Sequence, residues 1–526
     1  SVPIWVGGPE VSYEVEAFLR ENPYIDGVMI GEGEDTFREL CGYYAHKRKL
    51  SDIAGIAFRK NSTGNSTSNR TSVNNAGCKA DEIVFTSPRP IKNMSEIPFC
   101  YDTLDDFSNR IIYYESSRGC PFSCSYCLSS VDKTLRFRDT EIVKRELKFF
   151  IDQKVPQIKF VDRTFNCNHA HAMELWRFIK ANDNGVTNFH FEISADLLNQ
   201  EELELISDMR PGLIQLEIGV QSTNEVTIKE IHRTMKLERL KEVVRLIQSG
   251  NNIHEHLDLI AGLPYEDYDS FGRSFDEIYE LKPNQLQLGF LKVLKGSYMF
   301  EHAAEYGIVY HDKPPYEVMS TKWLSFDDVI KIKRVEDMLE VYYNSGQFEI
   351  TMKLMECIFD SAFEFFQELG DFYEANGYFG MSHSRIRRCE ILLEFLALYL
   401  HGCDSDDMAS VGLFGNAGDR DNTDFDENAQ IYSMIQESLI FDLYYRENCK
   451  SRPVWATDIG SFKHMTHAYC KNGKLSHVEP FHYIFPDKHT RKLDELPKYH
   501  KEPVWALFHY DMRDPLDHQA LVEYIE

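Results

Sequence analysis

The chain contains no apolar run approaching the length of a membrane span and no leader-like opening, so nothing in its text argues for a bilayer helix or for secretion. It is also short of positive charge. Against 57 Lys and Arg stand 84 Asp and Glu, a net charge of −27 at pH 7, and no basic run offsets the deficit. A nucleic-acid backbone is therefore disfavoured as a partner. The 12 cysteines of this 526-residue chain cluster only at 120–127, which is not the pattern of a disulfide framework. A reducing, cytoplasmic compartment is the expectation. The length suffices for two to four domains with sizeable cores.

What is present centres on residues 116–130, SSRGCPFSCSYCLSS, where Cys120, Cys124 and Cys127 stand as Cys-x3-Cys-x2-Cys. Three thiolates at this spacing can hold three irons of a cubane, leaving the fourth iron open to a substrate-like ligand. Two alternatives stay open on these residues alone. A zinc site usually draws on four ligands, often two Cys-x2-Cys pairs or a later His pair, and no second Cys pair follows at that spacing. Three incidental buried thiols are the other.

The spacing, Tyr126 before the third cysteine and the Arg-Gly-Cys-Pro lead-in resemble the signature of the radical S-adenosylmethionine (SAM) superfamily. The resemblance implies a [4Fe-4S] cluster on Cys120, Cys124 and Cys127, SAM chelated on the fourth iron, and cleavage of SAM to a 5′-deoxyadenosyl radical. It also implies a reductant such as flavodoxin or ferredoxin.

The opening text reads strand (2–6), turn (Gly7, Gly8, Pro9, Glu10), helix (12–21), strand (26–30), turn (Gly31, Glu32, Gly33, Glu34), helix (35–48). Such βα units predict a parallel sheet. Glycines at strand exits either let a ligand approach the backbone or merely permit tight turns. The GGPE and GEGE turns resemble the second half of the cobalamin-binding, Rossmann-like domain of one radical SAM branch. That resemblance makes Gly7, Gly8, Gly31 and Gly33 cobalamin-contact candidates and leads to the expectation of a domain truncated at its first half, spanning 1–60. Residues 61–80, rich in Asn, Ser and Thr with sequons at Asn61, Asn65 and Asn69, are expected as a loop. A linker carries the chain on to 109.

From 110 to 325 strand alternates with helix. Strands are expected at 111–117, 157–162, 189–194, 213–220, 254–260 and 285–293, with helices at 139–153, 168–181, 200–208, 235–249 and 267–280. Six such units favour a partial (β/α)6 barrel with its site at the carboxyl ends of the strands. Alternation puts Glu217, Gly219 and Gln221 on one face, as it does Glu192, Ser194 and Asp196, and His254, His256 and Asp258. Each could serve an internal ion pair as readily as a ligand. FVDRTFN (160–166), LEIGVQS (216–222), DLIAGLP (258–264) and GFLKVLKGS (289–297) resemble segments of the cobalamin-linked branch. By that resemblance Asp162 meets the methionyl amino group, Glu192, Glu217 and Gln221 are candidates for ribose and methionyl contacts, and Phe122 and Tyr126 help hold the adenine. His169 and His171 read as the start of a helix capped by Asn168. His254 and His256 are candidates for proton transfer.

Beyond 326 the text predicts helices at 326–345, 348–369, 384–401 and 427–447, an acidic segment at 403–426, and strands at 477–485 and 503–511. This α+β region, 326–526, resembles an uncharacterised domain found behind the barrel in the same branch. Its cysteines, Cys357, Cys389, Cys403, Cys449 and Cys470, have no cluster spacing. The combined expectation is a radical SAM enzyme methylating an unidentified small-molecule or peptide substrate with cobalamin. Radical rearrangement, cyclisation or oxidation, and a non-catalytic iron–sulfur or corrinoid carrier or sensor, are the alternatives.

Overall fold

The computed structural model describes residues 2–60, 82–101, 103–107, 110–401, 427–470, 475–486, 490, 493 and 495–525. The loop 61–80 with its sequons, and the acidic segment 403–426 with Cys403, lie outside the described residues.

The first four strands form their own sheet. β1 (Trp5–Gly7) pairs parallel with β2 (Gly27–Met29), and β3 (Ile56–Arg59) and β4 (Ile83–Phe85) extend it antiparallel. The expected all-parallel sheet is thus corrected: only its first pair is parallel. β4 falls in the stretch expected as loop and linker. Both added strands are short, three or four residues, too few to display a period. β3 is buried at every position, its Ile56 and Phe58 packing in one small core and Ala57 in another. The helix expected at 12–21 is broken into Pro9–Ser12 and Val15–Glu21, with Glu14 in the left-handed region (φ 51°) between them.

Six strands follow in one parallel sheet, β5 (Ile112–Tyr114), β6 (Gln157–Phe160), β7 (Asn188–Ile193), β8 (Ile214–Gln221), β9 (His254–Ala261) and β10 (Gln285–Phe290), in that spatial order. Each crossover carries a helix. Asp139 accepts the Glu141 and Ile142 amides to cap Thr140–Asp152, and Asn168 accepts the His171 amide to cap His169–Ala181. β8 explains the layering best. Ile214, Leu216, Ile218 and Val220 are fully buried, while Gln215, Glu217, Gly219 and Gln221 alternate with them at half-buried positions. Each buried aliphatic side chain contributes about 1.5–3 kcal/mol, so a one-residue slip of β8 would forfeit several of these at once.

The chain then turns helical. Phe326–Leu339 runs into a π-helical turn, Glu340–Asn344. The single helix expected at 348–369 is two, Glu349–Met355 and Ala362–Ala375. Its break lies where Asp276 accepts Ser361 Oγ and the Phe363 amide, while Ser361 caps the second piece. Helices Arg385–His401 and Glu427–Arg446 complete the layer. An antiparallel sheet of β11 (Ser476–Tyr483), β12 (Tyr499–Arg513) and β13 (Ala520–Ile525) closes the fold, β13 being an addition to the two strands read from sequence.

Candidate functional site at the carboxyl ends of the parallel strands

The cysteine segment leaves the sheet just after β5 and returns across the strand ends. Gly119 makes the exit possible: its φ is +93°, and a Cβ there would stand 2.6 Å from the Thr134 carbonyl oxygen. The loop then coils on itself. The Cys127 amide donates to the Cys124 carbonyl at 3.1 Å, and Ser130 Oγ donates to the carbonyls of Cys124 and Cys127 at 2.8 and 2.6 Å. Two outside contacts fix its place. The Ser125 amide reaches the Ile231 carbonyl, and the Met299 amide the Ser125 carbonyl, both at 2.9 Å.

A recess of about 190 Å³ opens over this loop. Cys120, Cys124 and Cys127 line it together with Phe122, Tyr126, Glu192, Glu217 and Gln221. Arg163, Arg233 and Asp258 share its wall. The thiol of Cys120 is pushed up, first by burial and then by the crowding of Cys127 and Cys124. A cationic group among the three would relieve that repulsion, which suits an iron cluster whose thiolates each take a separate iron. Among the described residues no three His, Cys, Asp or Glu side chains form a set able to hold a single metal ion.

The strand carboxylates are partnered in different ways. Lys159 Nζ lies 2.9 Å and His190 Nε2 3.0 Å from Glu217. Burial raises this carboxyl, but His190 and Lys159 outweigh it and hold the group down at about 2. Glu192 receives Arg163 Nη1 at 2.7 and 3.0 Å. Asp258 is the contrast: burial first, then Glu217 and Glu192, push it well above the usual carboxylate range. His256 stands 3.4 Å away with its pKa lowered by burial. Glu217 faces His256 across the ladder and Gly219 faces Asp258, so the sheet carries a polar interior down its axis. Barrel interiors are usually filled with branched apolar side chains. Gln221, at a bulge in β8 with φ 78°, turns its amide over Gly219.

Asp162 is placed elsewhere. It is fully buried and accepts the Ser116 amide at 2.9 Å, Ser116 Oγ at 2.6 Å and Ser117 Oγ at 2.6 Å. These bonds hold its carboxylate at the root of the cysteine loop, and it does not line the recess. His169 and His171 are likewise occupied separately: His169 Nδ1 lies 2.9 Å from Glu202, and His171 Nε2 3.0 Å from Ser116 Oγ. His254 opens at the opposite end of β9.

Gly7, Gly8, Gly31 and Gly33 lie outside the recess, at the carboxyl edge of β1 and β2. Nothing stands within 4 Å of a Cβ built on Gly8, Gly31 or Gly33, and Gly8 and Gly31 have φ of 105° and 76°. That edge is open to close backbone approach by a ligand. The GEGE turn also reaches the cysteine loop. Arg118, two residues before Cys120, pairs with Glu32 at 3.2 Å and Glu34 at 2.8 Å, and Arg136 pairs with Glu32 at 2.7 Å.

Sequence reasoning missed Arg233 and Arg163. Arg233 donates to the Gly219 carbonyl and to Tyr126 Oη, with its Nη1 3.9 Å from Cys124 Sγ. It lies between helices Glu225–Glu230 and Leu237–Ser249, where no strand or helix period marks it.

Two family profiles match the chain, the radical SAM superfamily over residues 114–278 and the protein family of unknown function DUF4080 over residues 304–519. An uncharacterised methyltransferase of Pyrococcus horikoshii is 24% identical over 343 residues, covering 63% of this chain and 68% of that protein. The cobalamin-dependent radical SAM methyltransferase TokK of Streptomyces tokunonensis is 26% identical over 303 residues, covering 53% and 41%. The anaerobic magnesium-protoporphyrin IX monomethyl ester cyclase of Synechocystis is 25% identical over 256 residues, covering 47% of each. The chain thus spans about half or less of two of these three relatives. Among solved structures, the cobalamin-dependent SAM radical enzyme OxsB is 16% identical with a TM-score of 0.49, covering 85% of this chain and 68% of that one. No helix among the described residues is long and apolar enough to cross a membrane.

Proposed function

This chain belongs to the radical SAM superfamily and carries a DUF4080 domain behind the radical SAM domain, and from that premise we propose that it cleaves SAM reductively and directs the resulting radical to methylation with cobalamin. One observation carries the reading. The three cysteine thiols share a single recess with Glu192, Glu217 and Gln221 at the carboxyl ends of a parallel sheet, where such folds do chemistry.

A [4Fe-4S] cluster on Cys120, Cys124 and Cys127 would supply the electron that breaks a carbon–sulfur bond of SAM, and methylcobalamin the methyl group. The chain's own part is placement. Ser130 and Gly119 hold the three thiols in one turn, and Arg233 ties that turn to β8 through Tyr126 and Gly219. Glu217 stays ionised at neutral pH and can accept the hydroxyls of a ribose or pair with an ammonium. Burial and the neighbouring carboxylates Glu217 and Glu192 favour the neutral form of Asp258, the form that can donate. The open glycine edge beside the cysteine loop supports cobalamin as the methyl carrier, through Gly8, Gly31 and Gly33.

The test is anaerobic. The chain is reconstituted with iron and sulfide, reduced, given SAM, and assayed for 5′-deoxyadenosine by mass spectrometry, with Cys124→Ala as control. Deoxyadenosine that vanishes in the control supports the reading. A cluster that forms and yields none, with cobalamin supplied, overturns it in favour of a carrier or sensor.

A further inference from the structure

A second cavity, of about 370 Å³, lies where the parallel sheet begins rather than where it ends. His254 opens β9 and Asn284 precedes β10, and Asp258 of the cysteine recess stands four residues further along β9, about 13 Å away at a rise of about 3.3 Å per residue. The cavity's far wall comes from the DUF4080 region, including the π-helical turn and residues 516–519. The walls are locked together. Asn344 brackets Leu286, accepting its amide at 3.0 Å and donating to its carbonyl at 2.8 Å, while Tyr343 Oη donates to the Pro283 carbonyl at 2.5 Å. Lys282 pairs with Glu356 at 2.7 Å across the seam.

Two polar atoms on this lining have no partner. Gln519 is 3% exposed; its Nε2 donates to Glu349, and its Oε1 accepts nothing. His254 Nδ1 is buried and equally unmatched. A buried acceptor without a donor is destabilising, so two on opposite walls of one cavity ask for a ligand that brings N–H groups. Burial lowers His254 to about 4, leaving a neutral ring that can accept at Nδ1. At the rim Arg446 donates only to the Gly346 carbonyl at 3.3 Å and has no carboxylate partner among the described residues. The formal charges of the lining balance: Lys282, Lys353 and Arg446 against Glu349, Glu356 and Asp517. A ligand that supplies N–H donors at one end and an anion at the other, without net charge, leaves that balance intact.

We propose that this cavity binds a small zwitterion of the amino-acid class, its amine or amide toward Gln519 and His254 and its carboxylate toward Arg446. The volume lies within the range of small-molecule sites and admits a free amino acid or the end of a short peptide. The test uses the full chain and saturation-transfer NMR in three arms: a mixture of the twenty L-amino acids, Gly-Gly with Gly-Gln, and inorganic phosphate. Saturable transfer from the first arm identifies a free amino acid, and from the second alone a peptide end. Affinity for the responding probe falls at least tenfold in Arg446→Ala, an exposed position whose replacement leaves the fold intact, and in Gln519→Leu. Silence in both zwitterion arms, equal transfer with Arg446→Ala, or phosphate displacing the zwitterion overturns the proposal. Cys124→Ala binds the probe as the parent chain does, so the outcome is independent of the radical reading.

Discussion

Asp162 gives the sharpest test of how the cysteine loop is anchored. Its carboxylate is fully buried, and burial pushes it up to about 6 despite three hydrogen bonds from Ser116 and Ser117. The proton of Ser116 Oγ goes to Asp162, so His171 Nε2 must carry the hydrogen in its contact with that oxygen. Replacing Asp162 by Ala leaves a buried amide and two hydroxyls without their acceptor. At about 1–3 kcal/mol for each donor that cannot find another, and with hydroxyls free to rotate elsewhere, the expected cost is about 2–5 kcal/mol. Asp162→Asn keeps one carbonyl acceptor and removes the expense of a buried charge above pH 6, so its stability at pH 7.5 is expected within about 1 kcal/mol of the parent. Chemical denaturation and bound iron per chain after reconstitution measure both. The Ala variant should be destabilised and load less iron, with Asn near normal. An Ala variant of parental stability and iron content that has lost SAM binding would refute the anchoring argument and return Asp162 to the ligand.

Four further outcomes are expected. Lys159→Met removes one of the two contacts that hold Glu217 at about 2; its carboxyl should titrate at least one unit higher by NMR, and SAM should bind several-fold more weakly at pH 5 than at pH 8. Gly119→Ala forces a Cβ to within 2.6 Å of the Thr134 carbonyl at φ +93°, costing about 1–3 kcal/mol and lowering iron loading; parental values would show that the turn relaxes freely. His171 and His254 sit at about 4 in the folded chain, below the unfolded value near 6.5. The unfolded state therefore binds the extra protons, and these two rings destabilise the fold as pH drops from about 6.5 to 4, by up to about 3 kcal/mol for each group; Asp162 and Asp442, raised to about 6, and Glu266 and Glu336, raised to about 7, act in the opposite direction, so the two rings are followed individually by NMR. A ring that titrates near 6.5 in the folded chain would contradict the assignment. Finally, Arg233→Met should leave the fold standing but loosen Tyr126, read as a several-fold rise in the SAM dissociation constant.

The barrel was legible because its signal is repeated. The longer strands, such as LIQLEIGV before Gln221, show their alternation, and several helices bring a cap such as Asn168 or Asn199. The cysteine spacing is local and needs no fold to read. What escaped was short or depended on distant partners. β3 and β4 are runs of three or four residues whose pairing lies across a loop. The break near 357–361 is set by Asp276, some 85 residues away in the chain, a tertiary override that no helical period contains. Asp162 illustrates the limit best. Its position in a recognisable motif suggested a ligand, but whether an inward carboxylate meets solute or serine depends on the neighbouring strand's exit, which only the packed structure supplies.

The ion pairs between the GEGE turn and the cysteine loop join two otherwise separate readings. Glu32 pairs with both Arg118 and Arg136, and Glu34 with Arg118. Burial raises Glu32, but Arg136 and Arg118 lower it overall, so it stays ionised. Arg118 is separated from Cys120 by Gly119 alone, and Arg136 belongs to the ladder that Ser117–Arg118 forms with Arg136–Phe137. The N-terminal sheet therefore holds the strand from which the first thiol hangs, and the glycines beside that turn are fixed in register with the thiols. A methyl carrier on the glycine edge would need that fixed register to address a radical formed over the recess. Removing the contact at its centre, with Glu32→Gln and Glu34→Gln together, should leave the barrel folded and iron loading near normal while separating the two surfaces, read as faster proteolysis between residues 86 and 110. Unchanged proteolysis would mean that other contacts, such as Lys295 with Glu14 at 3.1 Å, suffice to hold the sheet in place.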